Sequence, residues 1–568
     1  MKLAYDFVII GSGFGGAIPA LRLAQAQRAA GRPVSVCVLE RGKRYNMGEF
    51  PRRFHRPKEW WWRHEGRRGW KGLIDYRAFE NMVVISGSGV GGTSLMYLDV
   101  QIDIFDSAFD MMDGGEPKWP DSVNWRAELP VYYRRVEDML RPRPIPEPVL
   151  KTQALRAGAY AAGMGDRFRL LDLAIYWGRN GAEQGVYNPD PYQRGGPPQF
   201  SCSNCGECFI GCNIHSKNTL DLNYLHFAEK SGAEVHSQHH VVAIRPNPRS
   251  HTVHPHGYTI DYVDLRWGFP GSVSAGAVIV SAGVLGSTGL LLRAKHGYRN
   301  GRKSVAPTLP DISDRLGTSF SGNGDFGAVA FETNRVVNPM EGPTITGVIE
   351  FPDRPGGRGF IIEEGGFPDL LRANLRQFPG GLASGRRLLR LLKNVFGRAT
   401  GQQLTEGIFQ QLDFEAMRDA LPYLVMGTDA ADGVISINED GGITIRWPHA
   451  KSMELWRDIE QTLRAVTENP AGLDGNLMLN PTWSAQKRLV TVHPLGGCPI
   501  GKDASRGVVS PDGEVFNYHN LYVSDGSILP VAIGPNPSKT IGALAERISD
   551  KIISKFIGQI PSGSSRLS

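Results

Sequence analysis

The stretch YDFVIIGSGFGGAIPALRLAQAQ, residues 5–27, constrains the fold of this chain more than any other. Phe7 to Ile10 form a short run of bulky apolar residues, the pattern of a strand buried on both faces in a parallel sheet. A helical pattern follows, and between the two sit Gly11, Gly13 and Gly16 in the spacing G-x-G-x-x-G. The first glycine permits the tight turn, the second lets a pyrophosphate approach the backbone, and the third lets the helix pack on the strand. Orphan N–H groups and the positive end of the helix would then face the phosphates. A second apolar strand, SVCVLERG, ends in Glu40, whose carboxylate is placed to accept hydrogen bonds from an adenosine ribose. A bare glycine turn is the plain alternative in a chain with 69 glycines. The strand-turn-helix context and the acidic residue favour a Rossmann-like dinucleotide-binding domain, with FAD and NAD both open on these residues alone.

A second glycine-rich run, Val83 to Val100 (VVISGSGVGGTSLMYLDV), places Gly87, Gly89 and Gly92 after another apolar strand. No strand ending in an acid follows it. It is therefore read as backbone wrapped around the same cofactor rather than as a second nucleotide site. Near the C-terminus, NLYVSDGSILP predicts a short strand and turn with Asp525 and Gly526 at the strand end. NPSKTIGALAERI predicts a helix with Pro537 in its first turn. The positive end of that helix would favour negative charge beside it. His493 in HPLGG and Asn536 in GPNP are polar residues held between rigid neighbours. The histidine can take a proton from a hydroxyl and the asparagine can hydrogen-bond the same oxygen. A turn histidine and a helix-capping asparagine are the structural alternatives.

These segments together resemble the glucose–methanol–choline flavoprotein oxidoreductases, and within them a cholesterol oxidase-like branch. The resemblance rests on DFVIIGSGFGGAIPALRLA, GSGVGGTSLMYLDV, IVSAGVLGSTGLLL and the block HPLGGC…NLYVSDGSILPVAIGPNPSKTIGALAERI. It implies FAD, oxidation of an alcohol carbon by hydride transfer to flavin N5, and a two-part α/β architecture. That architecture is a Rossmann-like FAD-binding domain (1–115, 196–300 and 486–568) plus a discontinuous α+β substrate domain with an antiparallel sheet (116–195 and 301–485). It also implies that His493 has the base or orienting role, that Asn536 is its partner, and that the strand containing Val242 backs the adenine. A glutamate of that branch reaches in from the substrate domain. In GFIIEEGGFP this makes Glu363 the candidate, with Glu364 as the alternative. Tyr97 stands where many members have asparagine, and GGTSLMYLDV offers no histidine for a covalent flavin bond, so noncovalent FAD is expected. The expected substrate is an apolar alcohol, sterol-like or aromatic, with dioxygen or a protein or quinone as electron acceptor. A flavin and iron–sulfur electron-transfer subunit, or a redox-neutral flavin isomerase, are the competing readings.

Four of the six cysteines, Cys202, Cys205, Cys208 and Cys212, fall in FSCSNCGECFIGC with the spacing C-x2-C-x2-C-x3-C. This equals the bacterial ferredoxin run except that Asn213 replaces proline. An iron–sulfur cluster, completed by Cys212 bent back, by Cys37 or Cys498, or of a three-iron type, and a thiol or disulfide loop are both open; zinc fits the compact spacing poorly. The N-terminus does not read as a signal peptide, and no stretch has the roughly twenty apolar residues of a membrane span. The expected location is cytoplasmic, where thiols stay reduced. A net charge of +6 over 568 residues gives no concentrated basic face, and nucleic-acid binding is not expected. Two basic stretches suit a lid, a docking patch or a membrane surface: Arg52–Gly72, with four tryptophans, and the amphipathic Ser384–Ala399. The simpler reading of both is a core-facing segment with solvated charges.

Overall fold

The computed structural model describes the chain apart from residues 27–32, 54–55, 64–68, 182, 249–256, 300–301, 304–305, 354–357, 369–417, 481–482, 485–486 and 558–568. The apolar run at the N-terminus forms the strand Ala4–Ile10, with Phe7 to Ile10 all buried. It lies between Val36–Leu39 and Phe269–Val280, parallel to both, with Ile10 opposite Leu39 on one side and Val280 on the other. Glu234–His236 extends the sheet beyond Val36–Leu39, and Leu521–Val523 pairs with Phe269–Val280, again in parallel. The strands Tyr258–Asp264 and His239–Pro246 complete it as an antiparallel flank. Strands buried on both faces must carry apolar residues throughout, which is why these segments read as continuous hydrophobic runs.

A second, six-stranded antiparallel sheet runs in the order Asn476–Leu479, Phe326–Phe331, Leu421–Gly427, Phe360–Glu364, Gly347–Phe351, Phe168–Leu170. The architecture is thus the expected mixed α/β fold, one parallel-centred sheet and one antiparallel sheet. A small sheet joins them: Leu489–Thr491 pairs in parallel with Met82–Gly87, which turns back on Ile74–Ala78. The C-terminal helix Ser538–Ile557 packs on Phe14–Gln25 and on Trp125–Leu140. A fully buried Glu546 accepts two bonds of 2.7 Å from Arg22 and one of 2.8 Å from the Tyr224 hydroxyl. Removing one partner of such a buried pair would cost about 3–5 kcal/mol, so the last helix is held in fixed register on the first. This brings the final block of the chain beside the N-terminal glycine turn. No described helix is long and apolar enough to cross a membrane.

Candidate active site

A cavity of about 1220 Å³ opens between the two sheets. Its nucleotide end is built by the two glycine runs. A Cβ on Gly11, where φ is +98°, would stand 2.2 Å from the carbonyl oxygen of Ser281, and one on Gly16 would stand 2.1 Å from that of Gly11. Both positions are packing glycines, and Gly16 lies behind the cavity wall. Gly13 differs: a Cβ there would meet nothing nearer than the Cα of Gly92 at 4.0 Å, and Gly13 lines the cavity. Its missing side chain leaves room for a ligand against the backbone at the start of the helix Phe14–Gln25. From the other run, a Cβ on Gly92 would lie 2.7 Å from the Cα of Gly13, and Gly87 also lines the cavity. Gly89 packs against Leu95 and Tyr45 behind it. The two runs therefore close on one another around a single site.

Glu40 ends its strand on the cavity wall, 5% exposed. Its carboxylate accepts from the Ser12 N–H (3.1 Å), the Ser12 hydroxyl (2.7 Å) and the Gly42 N–H (2.8 Å). It braces the glycine turn and keeps acceptor capacity toward the cavity. Val242 lines the same end, at a break in register between Val241 and Ala243 that releases its backbone from the ladder. Asp525 and Gly526 line the floor, but the Asp525 carboxylate is fully engaged by Gly283 N–H, Ser287, and the N–H and hydroxyl of Ser527. Asp525 is a latch between two loops. Burial pushes its carboxyl up, opposed by those donors.

At the opposite end, between the sheets, His493, Asn536 and Glu363 line the cavity together. Alternation along Phe360–Glu364 separates the two candidate glutamates. Glu363 faces the cavity, fully buried, with Oε2 3.5 Å from Asn536 Nδ2. Glu364 faces the other way and is satisfied by the N–H groups of Thr346 and Gly347 and by the hydroxyls of Thr346 and Thr152. The buried ammonium of Lys151 stands near it and offsets part of its burial cost. Burial holds the Glu363 carboxyl well above the usual carboxylate range, and the charges of Glu364 and Asp325 add to this. Glu363 Oε1 and Asn536 Oδ1 are both buried without a hydrogen-bond partner. Two orphaned polar atoms on a cavity wall are costly to the fold, and a hydroxyl-bearing ligand would satisfy them. The helix Ser538–Ile557 begins where expected, with Pro537 and Ser538 on the wall and its positive end toward the cavity.

One segment that holds this site went unread in the sequence. Ser321-Gly-Asn-Gly-Asp325 is a loop just before the strand Phe326–Phe331. Asn323, with φ +53°, accepts from the N–H groups of Ile533 (2.9 Å) and Gly534 (3.2 Å) and donates to the Pro535 carbonyl at 2.8 Å. Asp325 Oδ2 accepts from the Thr491 hydroxyl and the Val492 N–H, each at 2.8 Å, and from the His493 N–H at 3.3 Å. Asp325 Oδ1 lies 2.8 Å from His493 Nδ1. Asp429 in turn accepts from Ser321 and the Gly324 N–H. One loop of polar turn residues thus clamps both the His493 and the Asn536 segments. Its signal was the Gly/Asn/Asp composition immediately before an alternating strand.

All six cysteines are free thiols, and among the described residues no three His, Cys, Asp or Glu side chains are placed to share a metal. Cys202 and Cys208 are buried, Cys212 is half-buried and Cys205 is exposed. The sulfur of Cys212 accepts from the Ser216 N–H at 3.2 Å, and that of Cys202 points to Asn204 Oδ1 at 3.7 Å. Cluster ligation needs converging thiolates. Left-handed turns at Asn204, Gly206 and Gly211 shape the run, and burial pushes the Cys208 thiol up to about 12, with the neighbouring charge of Asp99 adding to it. Among the described residues the run is a loop of free thiols. In the tryptophan-rich stretch, Trp60 and Trp62 are buried. Trp62 lines the nucleotide end of the cavity under Arg41, 5.0 Å from ring centre to guanidinium. The basic stretch Ser384–Ala399 lies outside the described residues.

The GMC oxidoreductase family model matches residues 447–545, which contain His493 and Asn536. A cholesterol oxidase of Acinetobacter baumannii is 31% identical over 97% of this chain and 95% of its own length. The chain belongs to the GMC oxidoreductase family. A cholesterol oxidase of Mycobacterium tuberculosis is 27% identical over 96% of this chain and 91% of that protein. A formate oxidase of Aspergillus oryzae superposes with a TM-score of 0.60 at 15% identity, covering 97% of this chain and 98% of that one, and so shares the fold. As a GMC oxidoreductase the protein is an enzyme, and the family implies FAD. The open backbone at Gly13, the spare acceptor capacity of Glu40 and the helix end at Ser538 fit that cofactor.

Proposed function

We propose that this GMC oxidoreductase oxidises the hydroxyl-bearing carbon of an apolar alcohol, sterol-like or aromatic, and passes the electrons to dioxygen. The observation that carries the reading is the pair of buried, unpartnered oxygens on Glu363 and Asn536 beside His493. FAD, held noncovalently, supplies the hydride acceptor. The protein groups do the rest. The imidazole of His493 takes the hydroxyl proton as the C–H bond breaks. Asn536 Nδ2 donates to the substrate oxygen. Glu363, kept neutral by its surroundings, carries a proton that can be donated to Asn536 Oδ1 or to the substrate oxygen, and it brings no charge to a dry cavity. Apolar walls from Phe326, Ile345 and Met426 exclude water around the reacting carbon. The names of the cholesterol oxidase relatives support the substrate class and the acceptor.

The test is anaerobic addition of sterols and aryl or long-chain alcohols to the purified protein, followed by admission of air. Flavin bleaching by one of these alcohols, then hydrogen peroxide in equal amount on reoxidation, is the expected result. A protein that purifies with FAD yet is bleached by none of them would overturn the reading. Bleaching without peroxide would leave the alcohol but replace the acceptor.

A further inference from the structure

We propose that Asp325 is a positioning residue that fixes the tautomer of His493, so that Nδ1 carries the proton and Nε2 is the bare nitrogen facing substrate. Its consequence for turnover rests on the alcohol-oxidation reading above; the tautomer itself does not. Four donors converge on the Asp325 carboxylate: the Thr491 hydroxyl, the N–H groups of Val492 and His493, and the His493 ring. Three of them share Oδ2, which leaves Oδ1 for Nδ1 alone at 2.8 Å. A carboxylate can only accept, so the ring nitrogen must be the donor. In a neutral imidazole the proton on Nδ1 leaves Nε2 as the acceptor, the form needed to take a hydroxyl proton.

The same three contacts also set the ring's place. Asp325 is 7% exposed and sits at the end of the loop that clamps the neighbouring Asn536 segment through Asn323. Histidine and asparagine are therefore oriented by side chains two residues apart on one rigid turn. The ionisable groups facing this pair differ in role. Burial raises the carboxyl of Glu363 and the charge of Asp325 adds to this, whereas Asp429 is engaged by Ser321 and Gly324 from behind. Neither is bonded to the ring.

Asp325→Asn separates this assignment from a merely structural role. The amide is the same size, and three donors on Oδ2 require its oxygen there, which turns its NH₂ toward His493 Nδ1. The ring must then accept at Nδ1 and carry its proton on Nε2. Nitrogen-15 NMR of histidine-labelled protein near neutral pH, assigned by subtracting the His493→Gln spectrum, reads the tautomer directly. The expected result is Nδ1–H in the native enzyme, Nε2–H in Asp325→Asn, and Nδ1–H again in Asp325→Glu. With an alcohol that reduces the native flavin, Asp325→Asn should slow anaerobic reduction by about 10²–10⁴-fold with little change in KM, as expected for a wrong tautomer at a general base. An Nε2–H or doubly protonated ring in the native enzyme overturns the proposal, as does an Asp325→Asn enzyme that reduces its flavin at the native rate. If Asp325→Asn does not fold, the native spectrum alone decides. If no alcohol reduces the native flavin, the function proposed above fails while the NMR still judges Asp325.

Discussion

Glu363→Gln tests whether the buried carboxyl is held neutral at the cost of stability. The folded enzyme keeps a proton on Glu363 that the unfolded chain releases above about pH 4.3. With the folded value raised, this cost is absent below the unfolded pKa. It grows as pH rises toward the folded pKa, at about 1.4 kcal/mol per pH unit. Glutamine has no proton to lose, so the variant's stability relative to the native enzyme should climb with pH. From about pH 5 to pH 7 the gain rises with pH by no more than about 1.4 kcal/mol per unit, the limit set by a single proton. For 568 residues unfolding with roughly 2.1 cal/mol/K each, the entropy is about 1.2 kcal/mol/K, so each kcal/mol of gain corresponds to about 1 °C in Tm. Differential scanning calorimetry of both proteins with excess FAD, at the two pH values and one scan rate, measures it. A Tm gap between variant and native enzyme that is the same at both pH values would refute the reasoning, because it would mean Glu363 is ionised alike in folded and unfolded chains.

Four further expectations follow from particular contacts. Gly13→Leu should fold with native Tm in the apo form but lose bound FAD, read from flavin absorbance after gel filtration; Gly11→Ala, which drives a Cβ into the Ser281 carbonyl at 2.2 Å, should instead fail to accumulate as folded protein. Asn323→Ala orphans the N–H groups of Ile533 and Gly534, each costing about 1–3 kcal/mol, and should lower both Tm and turnover. Lys151→Met leaves the buried carbonyls of Pro343 and Thr344 without their donor and should cost about 1–3 kcal/mol for each in denaturant unfolding. Purified protein should contain neither iron nor acid-labile sulfide, and Cys205→Ser should keep native turnover; iron in stoichiometric amount would reverse the reading of the cysteine run.

What could be read from the linear chain was what local rules dictate. A strand buried on both faces, a glycine turn and a helix start each need their own residues within a few positions. Hence Gly11, Gly13, Gly16 and Glu40, and the helix after Pro537, were legible without a structure. The resemblance added His493, Asn536 and Glu363. The choice between Glu363 and Glu364 had to wait, because register against Leu424 and Val348, not the dipeptide itself, decides which carboxyl meets the cavity. The cysteine spacing leaves the ligand open for a related reason. Ligation depends on where the sulfurs point, and left-handed turns at Asn204, Gly206 and Gly211 shape the run.

By itself, the sequence determined that a nucleotide-binding sheet would form and where its turns would lie, since those choices are made by neighbours along the chain. Only the tertiary structure decided what stands opposite His493. Asp325 is 168 residues away in sequence, and its loop reaches the histidine because the strand Phe326–Phe331 packs beside Leu489–Thr491. A carboxylate's effect on a ring depends on a separation of 2.8 Å in space, a distance that no spacing along the chain encodes.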